Sequence, residues 1–161
     1  MLLGAFTLFH VVLSLVGIGA GFVVAYALLT SQYHGWTKLF LITTAATSAT
    51  GFLFPVHKFL PSHAVGIVSL VILAIAILAR YRFGLAGGWR RTYAITAVIA
   101  LYFNVFVLIA QLFQKVPALK ALAPTQSEPP FQLAQLVVLV VFTFLAIRAA
   151  ITFHGEPLHA A

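Results

Sequence analysis

The sequence predicts an all-α polytopic membrane protein, a single transmembrane helical domain over residues 1–161 built as a bundle of about five spans. Two observations lead there. Hydrophobic residues make up 63% of the chain and charged residues only 7%, where a soluble domain carries roughly a quarter. Nine basic and two acidic side chains cannot cover a water-soluble surface of this size, so most of the surface faces lipid. The second observation is that polar stretches divide the chain into five apolar segments, most of them close to the roughly 20 residues a helix needs to cross the hydrocarbon. A membrane barrel would alternate in polarity over runs of about ten residues, and no segment does so.

The expected spans are 2–29, 36–54, 62–80, 92–113 and 131–151. The first has no Lys or Arg ahead of it, and the first basic residue is Lys38. A secretory signal would carry positive charge before its apolar core, so a retained span is expected. Its His10, Ser14, Gly17 and Gly21 share one face, and the two glycines form a GxxxG pair suited to close helix contact. The second span contains TTAATSATG, whose hydroxyls can bond carbonyls one turn earlier and so lie cheaply in lipid. Pro55 should end it. The stretch FLFPVHKFLPSH then reads as a hairpin, with Pro61 and Ser62 opening a short third span that ends at Arg80. The fourth span carries Asn104 near its middle and Gln111 further on, and the fifth has Gln132 and Gln135 near its start. Between them lies QKVPALKALAPTQSEPP. Its first half suits a short interfacial helix, and its second half is too rich in proline to be helical.

Orientation comes from RYRFGLAGGWRR, which holds four arginines in twelve residues. Short cytoplasmic loops are enriched in Lys and Arg, so this loop is placed inside, the N-terminus outside and the C-terminus in the cytoplasm. Lys38, Arg80, Arg82, Arg90, Arg91 and Arg148 then fall inside, and Lys58, Lys115 and Lys120 outside. Tyr33, Trp36, Tyr81 and Trp89 lie at the inner boundary, where amphipathic rings prefer to sit.

Composition also removes function classes. With no cysteine there is no disulfide, thiolate nucleophile, iron–sulfur cluster or Cys-x-x-Cys-His haem attachment. The only acids are Glu128 and Glu156, both outside the apolar segments, so an intramembrane carboxylate proton relay is missing. The basic residues cluster at segment ends and form no nucleic-acid stripe. There is no His-Glu-x-x-His and no mid-span lysine of the rhodopsin kind. No internal repeat of the transporter type is visible. The stretches TTAATSATGFLFP and ALAPTQSEPP resemble small bacterial inner-membrane proteins, which implies that location and assigns no role to any residue.

Six histidines remain. His34, His154 and His159 fall in a loop or the tail and read as solvated. His10, His57 and His63 all fall on the predicted outer side. His10 and His63 are candidate axial ligands of a single b-type haem, with Gly17 leaving room on the His10 face; with His57 they are also candidate zinc or copper ligands. The bland alternative is imidazoles donating to carbonyls at helix ends. Depth decides between them. Counting about 20 residues back from Leu29 puts His10 level with His63; counting forward from Leu2 puts it about 12 Å deep. Asn104, Gln111 and Gln135 are candidates for a polar pocket that takes a quinone or a lipid headgroup, because an amide in hydrocarbon must be satisfied. The expected function is a non-catalytic accessory subunit or binding module of a larger membrane complex. A one-haem redox protein exchanging electrons with quinone is the alternative, and a small channel or transporter the second. The expected partners are the bilayer and other membrane subunits or further copies of the chain, with no nucleic acid.

Overall fold

The computed structural model describes residues 2–32, 35–54 and 61–154, and all regular structure among them is helical. The elements are α1 (Leu2–Thr30), α2 (Thr37–Gly51), α3 (Pro61–Ile77), α4 (Trp89–Lys115), α5 (Pro117–Leu122) and α6 (Pro129–Thr152). A π-helical turn, Leu78–Arg82, continues α3. Four stretches are long and apolar enough to cross a membrane: Leu3–Thr30, His63–Arg82, Trp89–Lys115 and Pro129–Thr152. The chain is therefore a membrane protein by the length and composition of its helices. Helix α2 has 15 residues, about 22 Å, shorter than the expected 36–54. It stops at Gly51, a full turn before Pro55, where the Phe52 and Leu53 N–H groups bond back to the Ala49 and Thr50 carbonyls and tighten the end.

Helices α1 to α4 form a ring in chain order. Each packs on its neighbour, and α4 closes against α1. Helix α6 lies outside this ring across α4 and α1. α4 is the hub because its inward face alternates small and large side chains. Ala94, Ala97 and Ala100 are essentially inaccessible and let neighbouring backbones approach, while Tyr93, Val98 and Leu101 fill the remaining space. By contrast α6 buries only Phe142 and Ala149. Its Leu136, Val140, Phe144 and Ile151 point outward, as expected of a helix whose solvent is lipid.

The end of the bundle that carries the arginines is closed by polar ties. Arg90 donates to the His154 carbonyl at 3.2 Å, and the His154 N–H donates to the Ser31 hydroxyl at 3.1 Å. The Arg80 guanidinium lies 5.4 Å from the centre of the Tyr93 ring, and Phe83 stacks on Trp89 at 4.0 Å. At the opposite end α5 begins at Pro117, a helix where the sequence predicts one in the first half of that loop. The non-helical second half folds over itself. Glu128 accepts from the Thr125 hydroxyl at 2.9 Å and from the Thr125 and Ser127 N–H groups, each at 3.1 Å. Desolvation pushes the Glu128 carboxyl up, but these hydrogen bonds together outweigh it and hold it below its ordinary value. Gln126 bridges back, donating to the Ala110 carbonyl at 2.6 Å.

The first span meets α2 and α4 at Gly21. A Cβ there would lie 2.5 Å from Leu101 Cδ1 and 2.9 Å from Phe40 Cε2. Both neighbours are buried, so neither can yield freely. Gly19, two residues away, has nothing within 4 Å of a Cβ. Gly21→Ala should therefore destabilise the bundle by about 1–3 kcal/mol, read as a lower melting temperature in detergent. Gly19→Ala should melt with the parent chain, and equal effects at both positions would contradict this packing.

Candidate ligand-binding cavity

At the end of the bundle opposite the arginines, the ring of α1 to α4 does not pack shut. A cavity of about 620 Å³ remains between the four helices, within the range of small-molecule sites. Small residues produce it. Ser14 on α1, Ser48 and Gly51 on α2, and Gly66 and Ser69 on α3 all line the wall where larger side chains would fill the space. A side chain on Gly66 would press on the Phe52 ring, 3.1 Å from its Cβ position.

Four of the sequence-predicted residues meet here: His10, His63, Asn104 and Gln111 all line the cavity. Asn104 is buried, and its amide donates to the Thr44 hydroxyl at 3.1 Å, tying α4 to α2. Gly17 sits beside Thr44 and its neighbour Thr43, its Cβ position 3.1 Å from Thr43 Oγ1 and 3.4 Å from Thr44 Oγ1. Nearer the mouth, His10 Nδ1 lies 2.9 Å from Thr50 Oγ1, and the Phe54 ring meets the imidazole edge-on at 5.1 Å. His63 stacks on Phe52 with ring centres 5.6 Å apart. His10 contacts Thr50 and His63 contacts Phe52, two residues further along, so both histidines sit beside the C-terminal end of α2.

Gln135 is elsewhere. It donates from α6 to the Phe106 carbonyl of α4 at 3.1 Å and does not line the cavity. His57 lies outside the described residues, as do His34, His159 and Tyr33. Among the described residues no three His, Cys, Asp or Glu side chains come together as a metal site. His154 is exposed at the arginine-bearing end, remote from the cavity.

The sequence reading did not single out several contributors. Ser48 donates to Ser69 across α2 and α3 at 3.2 Å. The Thr47 hydroxyl is buried on the cavity wall with no hydrogen-bond partner among the described residues. Lys115, in the last turn of α4, also lines the cavity and puts a positive charge there. The hydroxyl run of α2 was the available signal. Which of its members faces a cavity depends on how α2 is rotated against α1 and α3.

The arrangement provides hydroxyls, amides and imidazoles facing a space whose other walls are Phe52, Phe54, Phe103 and aliphatic side chains. Such a site suits a molecule with one polar and one apolar part. Comparison with protein-family models, curated proteins and solved structures found no match.

The Asn104–Thr44 bond is a buried polar tie behind the cavity wall. In a double-mutant cycle, Asn104→Leu and Thr44→Val should show a coupling of about 1 kcal/mol in detergent unfolding. Additive effects would place the Asn104 amide elsewhere.

Proposed function

We propose that this chain is a non-catalytic binding module of the bacterial inner membrane that holds an amphipathic small molecule in the cavity enclosed by α1, α2, α3 and α4. In this reading the chain crosses the membrane five times, α2 included, with the N-terminus outside, the C-terminus in the cytoplasm and the cavity in the outer half. Four arginines around the turn from α3 to α4, Arg80, Arg82, Arg90 and Arg91, support that orientation. The short α2 serves as a span because Trp36 before it and the turn at 52–54 after it extend its reach. The outward apolar face of α6 suits lipid, a larger membrane complex or a second copy of the chain.

One observation carries the reading: α1, α3 and α4 bring His10, His63, Asn104 and Gln111 to one cavity of about 620 Å³. Polar side chains in hydrocarbon are costly unless they pair or serve a ligand, and the unpartnered Thr47 hydroxyl on the same wall is of that kind. The apolar remainder of the wall accommodates a hydrocarbon tail, so the bound molecule can enter from the lipid phase.

The haem alternative draws support from the same geometry, because His10 and His63 line one cavity. Visible spectroscopy separates the two readings. Protein made with ample haem should be colourless if the module holds an amphiphile. A Soret band lost in both His10→Ala and His63→Ala would establish the haem reading in its place.

Native mass spectrometry of the chain released from mild detergent should show a retained small amphiphile. Ser14→Phe, which fills the cavity from α1, should lower its occupancy about tenfold or more. Equal occupancy in the parent and Ser14→Phe, or no adduct in either, would overturn the reading.

A further inference from the structure

The hydrogen bond between His10 and Thr50 has a direction that the surrounding atoms fix. Thr50 Oγ1 lies 2.7 Å from the Ala46 carbonyl oxygen and 3.2 Å from that of Thr47. Two oxygens at 2.7 Å repel unless a proton lies between them, so the single hydroxyl proton of Thr50 is spent within α2. The hydroxyl can only accept from His10 Nδ1, 2.9 Å away. His10 Nδ1 therefore carries the proton, and in the neutral ring Nε2 keeps a bare lone pair. His10 lines the cavity, and Thr50 is not part of its wall. With Nδ1 engaged by Thr50, Nε2 is the ring nitrogen of His10 left to bond a molecule in the cavity.

We propose that His10 Nε2 accepts a hydrogen bond from a ring hydroxyl of the bound amphiphile, making the ligand a hydroquinone-type molecule with a lipid tail, and that Thr50 is the residue that positions His10 for this. The inference rests on the reading of the cavity as an amphiphile site. Lys115 on the wall makes a cationic donor such as an ammonium a poor match, which leaves a neutral hydroxyl. Aromatic side chains around the two histidines favour a ring: Phe54 meets His10 edge-on, and Phe52 stacks on His63. A quinone has only acceptor oxygens and would face the Nε2 lone pair without a proton between them. The site thus discriminates by hydrogen-bond donation, and no electron transfer is involved.

The test measures binding of a decyl-hydroquinone, the matching decyl-quinone and an aliphatic alcohol of equal chain length to the purified full chain, without oxygen. The hydroquinone should bind about tenfold more tightly than the quinone and the alcohol. In Thr50→Val, which removes the acceptor without touching the cavity wall, that preference should fall to about twofold or less. Thr50→Ser should restore it. Nitrogen-15 spectra of the parent chain, with His10 assigned by its loss in His10→Gln, should show Nδ1 protonated and Nε2 bare. This readout holds even if Thr50→Val fails to fold. The opposite tautomer, equal binding of hydroquinone and quinone, equal binding of the alcohol, or an unchanged preference in Thr50→Val would each overturn the proposal while leaving an amphiphile site in place. Binding of none of the three would overturn the site itself.

Discussion

Every backbone polar group within the hydrocarbon must find its partner inside the protein, and a side-chain polar group left without one is costly, because lipid offers none. The rest of the structure follows from that constraint. Backbone groups meet it by forming helices, and no strand occurs among the described residues. Side chains meet it in two ways. Thr7, Thr30, Thr43, Thr96 and Thr143 each bond a carbonyl of their own helix about a turn earlier and ask nothing of their neighbours. The Asn104 amide cannot do this, so it reaches across to Thr44. The first group leaves the helices free to rotate, and Asn104 fixes how α4 faces α2.

Close contact and open space come from the same residue types at different levels of the bundle. Gly21 lets α1 sit directly on Phe40 and Leu101, and alanines on α4 bring its neighbours near, so the part of the ring nearer the arginines is filled. Toward the other end, Ser14, Ser48, Gly51, Gly66 and Ser69 stand where larger side chains would fill the space, and the Phe52, Phe54 and Phe103 rings around them leave it open. The filled half holds the helices together without a hydrophobic driving force between them. That rigidity supports an unfilled half, which by itself would favour collapse.

Much of this was legible in the chain. Hydropathy and the placement of Lys and Arg identify the apolar helices and their ends, because the bilayer imposes length and charge rules that act locally in sequence. The His10, Ser14, Gly17 and Gly21 stripe, the short α5 and the proline-rich turn after it follow from helix periodicity and from what proline forbids. The second helix was less legible. Its apolar neighbourhood extends to Phe54, but its hydroxyls and the tight turn after Gly51 leave only 15 helical residues. Pairings between helices were not legible at all. His10 meets Thr50, Ser48 meets Ser69 and Gln135 meets Phe106 because of relative rotation and depth, and neither leaves a local trace. For that reason Gln135 could be grouped with Asn104 from sequence although it ties α6 to α4, and Lys115 counted only toward topology.

The central claim is that an open cavity with polar groups on its wall begins one turn above a closed core and, in the proposed orientation, faces the outer side of the membrane. Ser14 lines the cavity, whereas Ile18, one turn along the same face of α1, is buried in the core at 7% exposure. The chain has no cysteine of its own, so single cysteines report without interference. The most direct measurement is modification of Ser14→Cys and Ile18→Cys by a small, charged, membrane-impermeant thiol reagent added to intact cells. The account predicts that Ser14→Cys reacts and Ile18→Cys does not. Ser14→Cys as inert as Ile18→Cys, or reactive only when reagent reaches the cytoplasmic face, would contradict it.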